Sequence, residues 1–232
     1  MKSVWNSQFE MNDEKTAADT IVNYFTKNNI LPAHENIYDG FDAYRENIYE
    51  NYNHGGFYTF ISPEDEILIY VMSKIIQPKN AFVAGSYFGY WAVWAMKTIS
   101  EIGGTIVLSD IDKDACALAK KNFSNLGYEK NTKVCCEDAV TLLSNRKEPV
   151  DMLMLDAMGN WNDPRPDYRG KRIYLPILES ARHVLKKGSA VILHNMKPRN
   201  PGTTQLVEKL LSLNAVGVCY DTPAGIGVFI IA

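Results

Sequence analysis

Three short stretches of the chain carry residue types spaced for chemistry. The first is Gly85-Ser86-Tyr87-Phe88-Gly89, directly after the apolar run Ala81–Ala84. Gly85 lets the chain turn sharply and leaves room for a ligand, and Gly89 allows close helix packing. The N–H groups at the start of the following helix can receive a polar ligand. Two glycines in a strand–helix turn are equally a plain structural device. The second stretch centres on Asp110, 25 residues beyond Gly85 (110 − 85). A carboxylate at the tip of a second strand suits acceptance of two ribose hydroxyls. The structural alternative is a helix N-cap, for which Asp112 is the better placed. The third, Glu137-Asp138-Ala139, opens another helix, where a carboxylate can accept from an adenine amino group or cap the helix. Each is weak alone. In register, they describe a nucleoside pocket.

Two further clusters fall outside these turns. In Tyr49–Ile61, YENYNHGGFYTFI, His54 precedes two glycines among aromatic residues. On a mobile loop near an acceptor hydroxyl or amine, its near-neutral pKa suits general-base work; otherwise it is a surface or packing histidine. After Asp156 comes a long loop, MGNWNDPRPDYRGKRIY, ending at Tyr174. A loop this rich in Trp, Tyr, Arg and Asp reads as a lid or acceptor-recognition element, with a solvated insertion or a dimer contact as the alternatives. His34 and His183 read as surface and helix-face residues and are assigned no role.

The elements that position these residues follow from periodicity. Residues 1–60 are polar and rich in Asn, Tyr and Glu, with intermittent helical patterns. Residues 61–232 alternate short apolar runs with helical patterns, as in a parallel α/β sheet. Ser62-Pro-Glu-Asp predicts a helix start, and Pro78 closes that helix. Strands are expected at Ala81–Ala84, Thr105–Ser109, Lys133–Cys136, Val150–Leu155 and Ala190–Leu193. Between them lie the helical stretches WAVWAMKTISEI, KDACALAKKNFSNL and ILESARHVLKK. The tail AVGVCYDTPAGIGVFIIA reads as two strands about a Thr-Pro-Ala-Gly turn. The predicted fold is α/β: a doubly wound, mainly parallel seven-stranded sheet ending in an antiparallel hairpin. Residues 1–60 would form an N-terminal helical cap and 61–232 the catalytic domain. Right-handed crossovers put the strand C-terminal ends on one edge, where ligands bind.

Composition narrows the class. At 232 residues, 46% hydrophobic and 22% charged, the chain is an ordinary globular domain long enough to bury a core without staples. A net charge of −3 with no basic stripe argues against nucleic acid as a partner. The opening residues lack the apolar core of a leader, and no apolar run reaches membrane-spanning length, so no membrane partner is expected. Cys116, Cys135, Cys136 and Cys219 show no C-x-x-C spacing, which favours a reducing cytoplasm over a disulfide frame.

At this point residues 61–232 resemble the class I S-adenosylmethionine (SAM)-dependent methyltransferases, and most of all the catechol and caffeoyl-CoA type of small O-methyltransferase. The resemblance rests on FVAGSYFGY from Phe82, VLSDID from Val107, Glu137-Asp-Ala, MLMLDA from Met152, Val184-Leu-Lys-Lys-Gly, Leu193-His-Asn and the terminal hairpin. It implies that Gly85–Gly89 lies beneath the amino-acid part of SAM, Asp110 holds the ribose, Asp138-Ala139 the adenine, and Asp156 faces the reacting centre. The implied cofactor-binding set is Gly85, Ser86, Tyr87, Gly89, Asp110, Ile111, Asp138, Ala139 and Asp156, with His54, Asp156 and Tyr174 as catalytic candidates. Three departures stand out. The acidic residue usual two positions before the first glycine is Val83. Tyr87 and Phe88 replace smaller residues, offering aromatic faces to a sulfonium cation or packing against the N-terminal segment. The metal-dependent members use an Asp after the fourth strand and an Asp-Asn pair after the fifth; here Asp156 and Asn195 match but His194 takes the middle position. Magnesium and calcium prefer all-oxygen shells, whereas a softer metal could accept His194; the expectation is that no divalent metal is required.

The expected activity is SAM-dependent methylation of a small polar acceptor at oxygen or nitrogen. One alternative keeps SAM as sole substrate, its α-amine closing on the γ-carbon to give a four-membered azetidine amino acid and methylthioadenosine. Another is a SAM- or nucleoside-binding regulatory protein without catalysis. The sequence leaves open a homodimer and whether the cap covers its own site.

Overall fold

The computed structural model describes residues 5–6, 13–197 and 202–232. Most of the stretch 1–12, which holds the start of the expected cap and bears on the leader, lies outside the described residues. In chain order the elements are β1 (Trp5–Asn6), α1 (Thr16–Lys27), α2 (Phe41–Asn51), α3 (Pro63–Ile76), β2 (Asn80–Ala84), α4 (Tyr90–Val93), α5 (Met96–Glu101), β3 (Thr105–Asp110) and α6 (Lys113–Asn125). They continue with β4 (Thr132–Cys136), α7 (Ala139–Asn145), β5 (Val150–Leu155), α8 (Tyr174–Ala181), β6 (Leu185–His194), α9 (Thr203–Ser212), β7 (Ala215–Tyr220) and β8 (Ile226–Ile231).

The sheet runs β1-β7-β8-β6-β5-β2-β3-β4. Strands β2 to β6 are mutually parallel, and β8 is antiparallel to both β6 and β7. Seven strands therefore form the expected doubly wound sheet with its closing hairpin. The two-residue β1, parallel to β7 at the edge, extends it by an eighth. The central strands are buried on both faces, which explains their uninterrupted apolar runs. From β2 the chain winds outward through β3 and β4, then returns to β5 on the other side. The crevice of a doubly wound sheet opens at such a reversal, here beyond the ends of β2 and β5.

Ser62 and Asp65 form a capping box at the start of α3, as the Ser-Pro-Glu-Asp pattern predicts. This helix is buried nearly all round, and α1 and α2 lay their apolar faces into the same core through Ile21, Phe25, Phe41, Tyr44 and Ile48. Burial of Asp65 and Glu66 in the first turn of α3 calls for hydrogen-bond partners. Glu66 accepts from the hydroxyls of Tyr90 (2.6 Å) and Tyr49 (2.8 Å). Asp65 reaches across to β6.

Two elements differ from the expected pattern. WAVWAMKTISEI breaks into α4 and α5 at Trp94–Ala95, where Ala95 N–H bonds the carbonyl of Ala92 in a tighter turn. That break seats Trp94, fully buried, among Phe41, Tyr44, Tyr49 and Tyr90. The expected ILESARHVLKK helix ends at Ala181, and Leu185 already begins β6, because Val150 pairs with Leu185 beside the register shift at the start of β5. The ladder captures a segment whose local pattern reads as helix.

Candidate functional site

Gly85 sits at φ +76°, and a Cβ there would meet the Cα and N of Ala157 at 2.3 Å. Only glycine fits between the ends of β2 and β5. Behind it the turn is self-satisfied: the N–H groups of Gly85 and Ser86 both donate to the carbonyl of Ser109 (2.9 and 3.0 Å), and Gly89 N–H to Ser86. Tyr87 N–H donates to Asp110 Oδ2 at 2.6 Å. These bonds fix the turn from within, so the N–H groups of Gly85, Ser86, Tyr87 and Gly89 are already engaged. Tyr87 holds φ +49°, strained for a non-glycine residue, with its ring at the mouth of a cleft.

Asp110 is held on both oxygens, by Tyr87 N–H and by Asp112 N–H at 3.0 Å, so the carboxylate cannot swing away. Asp112, not Asp110, caps α6, accepting from Asp114 and Ala115 N–H at 2.9 Å. Asp138 caps α7 through Thr141 N–H at 2.9 Å and also lines the cleft described next.

Two clefts meet at Gly85, Asp110 and Met158. The first, about 190 Å³, is lined by Asp110, Ile111, Asp138, Ala139, Asn160 and Tyr168 among others. The loop after Asp156 forms its outer wall. An antiparallel bridge between Gly159 and Gly170 pins the loop's base, and Arg165 lies 3.5 Å over the Tyr168 ring while pairing with Asp163. The second cleft, about 600 Å³, is lined by Asp156, Lys171, His194 and Asn195 and rimmed by Tyr58, Phe60, Tyr87 and Met158.

The floor of the second cleft is a charged network. Asp156 Oδ1 accepts from Lys171 Nζ at 2.7 Å and Asn195 Nδ2 at 2.9 Å, while Oδ2 faces His194 Nδ1 at 3.2 Å. On its other edge, His194 Nε2 faces Asp65 Oδ2 at 3.2 Å, and Thr222 Oγ1 donates to Asp65 Oδ1 at 3.1 Å. Burial alone would discharge the imidazole, but Asp156 first and then Asp65 outweigh it and push His194 up to about 9. Burial likewise opposes ionisation of Asp156, yet His194 and Lys171 hold its carboxyl far below the usual range.

A divalent ion does not fit this donor set. Asp156 accepts from Lys171 and Asn195 and faces His194, and His194 stands where a hard divalent ion prefers an oxygen ligand. Among the described residues no group of three His, Cys, Asp or Glu side chains is arranged for a metal.

The structure thus gathers Gly85, Tyr87, Asp110, Ile111, Asp138, Ala139 and Asp156 onto the two clefts. Four candidates lie elsewhere. Ser86 is buried in the turn and lines neither cleft. Gly89 faces Phe123 and Tyr52, where a Cβ would meet the Phe123 ring at 2.6 Å; its role is packing. Tyr174 is buried, and its hydroxyl donates to the carbonyl of His194 at 3.0 Å, with burial and then Asp156 pushing the phenol well above 10; it positions rather than reacts. His54 packs on Tyr90 (4.8 Å) and Phe88 (5.4 Å), lining neither cleft. Phe88 itself is buried against Phe57, so only Tyr87 of the aromatic pair reaches the site. Sequence reasoning missed Lys171, which lies in a loop with no periodicity, and Asp65, which reads as a helix cap.

A doubly wound sheet with a fixed carboxylate and a nucleoside-sized cleft at its reversal defines a nucleoside-binding protein of Rossmann-like build. Residues 82–196 match the family model of a methyltransferase domain. That match covers just under half of the chain, which resembles the class I SAM-dependent methyltransferases and, among them, the catechol type. A catechol O-methyltransferase of Niastella koreensis is 26% identical over 101 residues, 42% of this chain and 45% of that protein, so the match spans a little under half of this curated relative. Among solved structures, an O-methyltransferase of Bacillus cereus in complex with SAH superposes with TM-score 0.59 at 16% identity, over 95% of this chain and 100% of the other. SAH-bound methyltransferase PaMTH1 of Podospora anserina gives 0.62 at 15%, over 98% and 99%. At such identities these two speak to the fold.

Proposed function

We propose that this chain transfers the methyl group of SAM to a hydroxyl oxygen of a small acceptor. The observation that carries the reading is the junction of the two clefts at Gly85, Asp110 and Met158. One cleft has the carboxylates and the size for a nucleoside, and the other has room for a methionine arm and a second molecule. The residues fit SAM: Asp110 for the ribose hydroxyls, Asp138 and Ala139 for the adenine, and the glycine turn for close approach. When bound, SAM supplies an electrophilic methyl on a sulfonium, which the acceptor oxygen attacks as the C–S electron pair returns to sulfur, leaving SAH. The protein's part is to align the acceptor and exclude water. Asp156, held far below the usual carboxyl range, is a weak base, so the acceptor hydroxyl must be acidic enough to ionise with little help. The aromatic rim of Tyr58, Phe60 and Tyr87 favours a flat aromatic acceptor, and oxygen is the atom in the names of the Niastella koreensis and Bacillus cereus proteins. Four free cysteines support a reducing cytoplasm. A small molecule is the expected partner, not nucleic acid or a membrane, in a monomer or homodimer.

The test is to incubate the protein with SAM, with and without a panel of phenols, and identify the nucleoside released. SAH appearing only with an acceptor supports methyl transfer. Methylthioadenosine from SAM alone supports the cyclase and overturns it, and binding without either product assigns a regulatory role.

A further inference from the structure

We infer that the Lys171 ammonium, locked onto Asp156, takes the place of a divalent metal in the acceptor cleft and anchors the acceptor there as an oxyanion. The inference rests on the acceptor cleft proposed above. It identifies a specificity-determining residue that sequence pattern does not single out, since Lys171 lies 15 residues past Asp156 in an irregular loop.

Lys171 Nζ donates to Asp156 twice, to the backbone carbonyl at 2.9 Å and to Oδ1 at 2.7 Å. An ammonium has three N–H donors. Two hold it against the end of β5; the ammonium also lies 5.1 Å from the centre of the Tyr174 ring and lines the second cleft, with its side chain 10% exposed. The loop cannot easily withdraw it. The Gly159–Gly170 bridge closes the loop one residue before Lys171, and a Cβ on Gly159 would stand 1.8 Å from the carbonyl of Tyr168. The ammonium is thus a fixed cation, preorganised as a metal would be, at the carboxylate that the resemblance assigns to one.

An oxyanion beside Lys171 faces the sulfonium with the opposite charge. The price is selectivity: a single ammonium favours one ionised hydroxyl, whereas a metal chelates two adjacent ones. The site should therefore accept a monohydric phenol as readily as a catechol.

The probe is 4-nitrophenol, whose phenolate absorbs in the visible and whose phenol does not. It is titrated with SAH-loaded protein near the pH of its own ionisation, in EDTA and in excess magnesium, alongside SAH binding by calorimetry and Mn²⁺ binding by electron paramagnetic resonance. The expected result is a growing phenolate band in EDTA, unchanged by magnesium, with no Mn²⁺ bound at millimolar concentration. Lys171→Gln should weaken phenolate binding at least tenfold, and Lys171→Arg should retain it within about threefold. Both variants should bind SAH within twofold of wild type, which also reports correct folding. A band that needs magnesium, Mn²⁺ held by Asp156, an unchanged Lys171→Gln titration in SAH-competent protein, or no band in wild type overturns the inference. Loss of SAH binding by wild type strikes the methyltransferase reading instead, so the two failures are told apart.

Discussion

The bridge formed by His194 between two carboxylates makes stability depend on pH in a defined direction. The imidazole is 1% exposed, with Asp65 on one nitrogen and Asp156 on the other. Its pKa is pushed to about 9 from an unfolded value of 6.5. A group whose folded pKa is raised stabilises fully below the unfolded value and loses that contribution as pH rises through the folded one. Each pH unit between the two is worth about 1.4 kcal/mol, so the window from 6.5 to about 9 corresponds to about 3 kcal/mol. The depressed Asp156 reports the same interaction from the other side and is not counted again. The assay is urea unfolding of wild type and His194→Gln at half-unit steps from pH 6 to pH 9.5. At pH 6 the variant should be less stable by roughly 3–5 kcal/mol, the scale for removing one partner of a buried ion pair. That gap should narrow by about 3 kcal/mol on reaching pH 9.5. A gap that stays constant across the range, or a titration of His194 by NMR at or below 6.5, refutes the reasoning.

Other outcomes follow from the same geometry. Gly85→Ala must push a Cβ into Ala157 at 2.3 Å from a left-handed backbone, so thermal unfolding should shift down and SAH binding be lost. Asp110→Ala frees the N–H groups of Tyr87 and Asp112 as well as removing the ribose acceptor, so calorimetry should show SAH affinity down at least tenfold. Asn122, fully buried, bonds both the N–H and the carbonyl of Asn53 at 3.1 and 2.8 Å. Asn122→Ala should cost about 1–3 kcal/mol and raise hydrogen exchange across residues 52–57, because those bonds tie the segment to α6.

Much of the fold was legible because it depends on local pattern. Strand ends at Ala84, Cys136 and Leu155 fall where the apolar runs stop, and Ser62 begins α3 as its box predicts. Reading failed where distant contacts overrule local ones. Leu185 reads as helix until Val150 pairs with it, and Trp94 breaks a helix to reach the aromatic core. The lining of the first cleft was visible in Gly85, Asp110 and Asp138 because strand ends converge by topology. The floor of the second cleft was not. Asp65 and His194 are 129 residues apart, and Lys171 arrives through a loop whose closure depends on two glycines meeting. His54 shows the converse: a residue type apt for catalysis, placed by the fold in aromatic packing.

The central claim is a geometry, and a structure of the SAH complex tests it most directly. The account predicts the adenine between Asp138 and Tyr168, both ribose hydroxyls on Asp110, and the sulfur opening into the cleft that holds Lys171 and Asp156. A nucleoside bound elsewhere, or a sulfur facing away from that cleft, would contradict it.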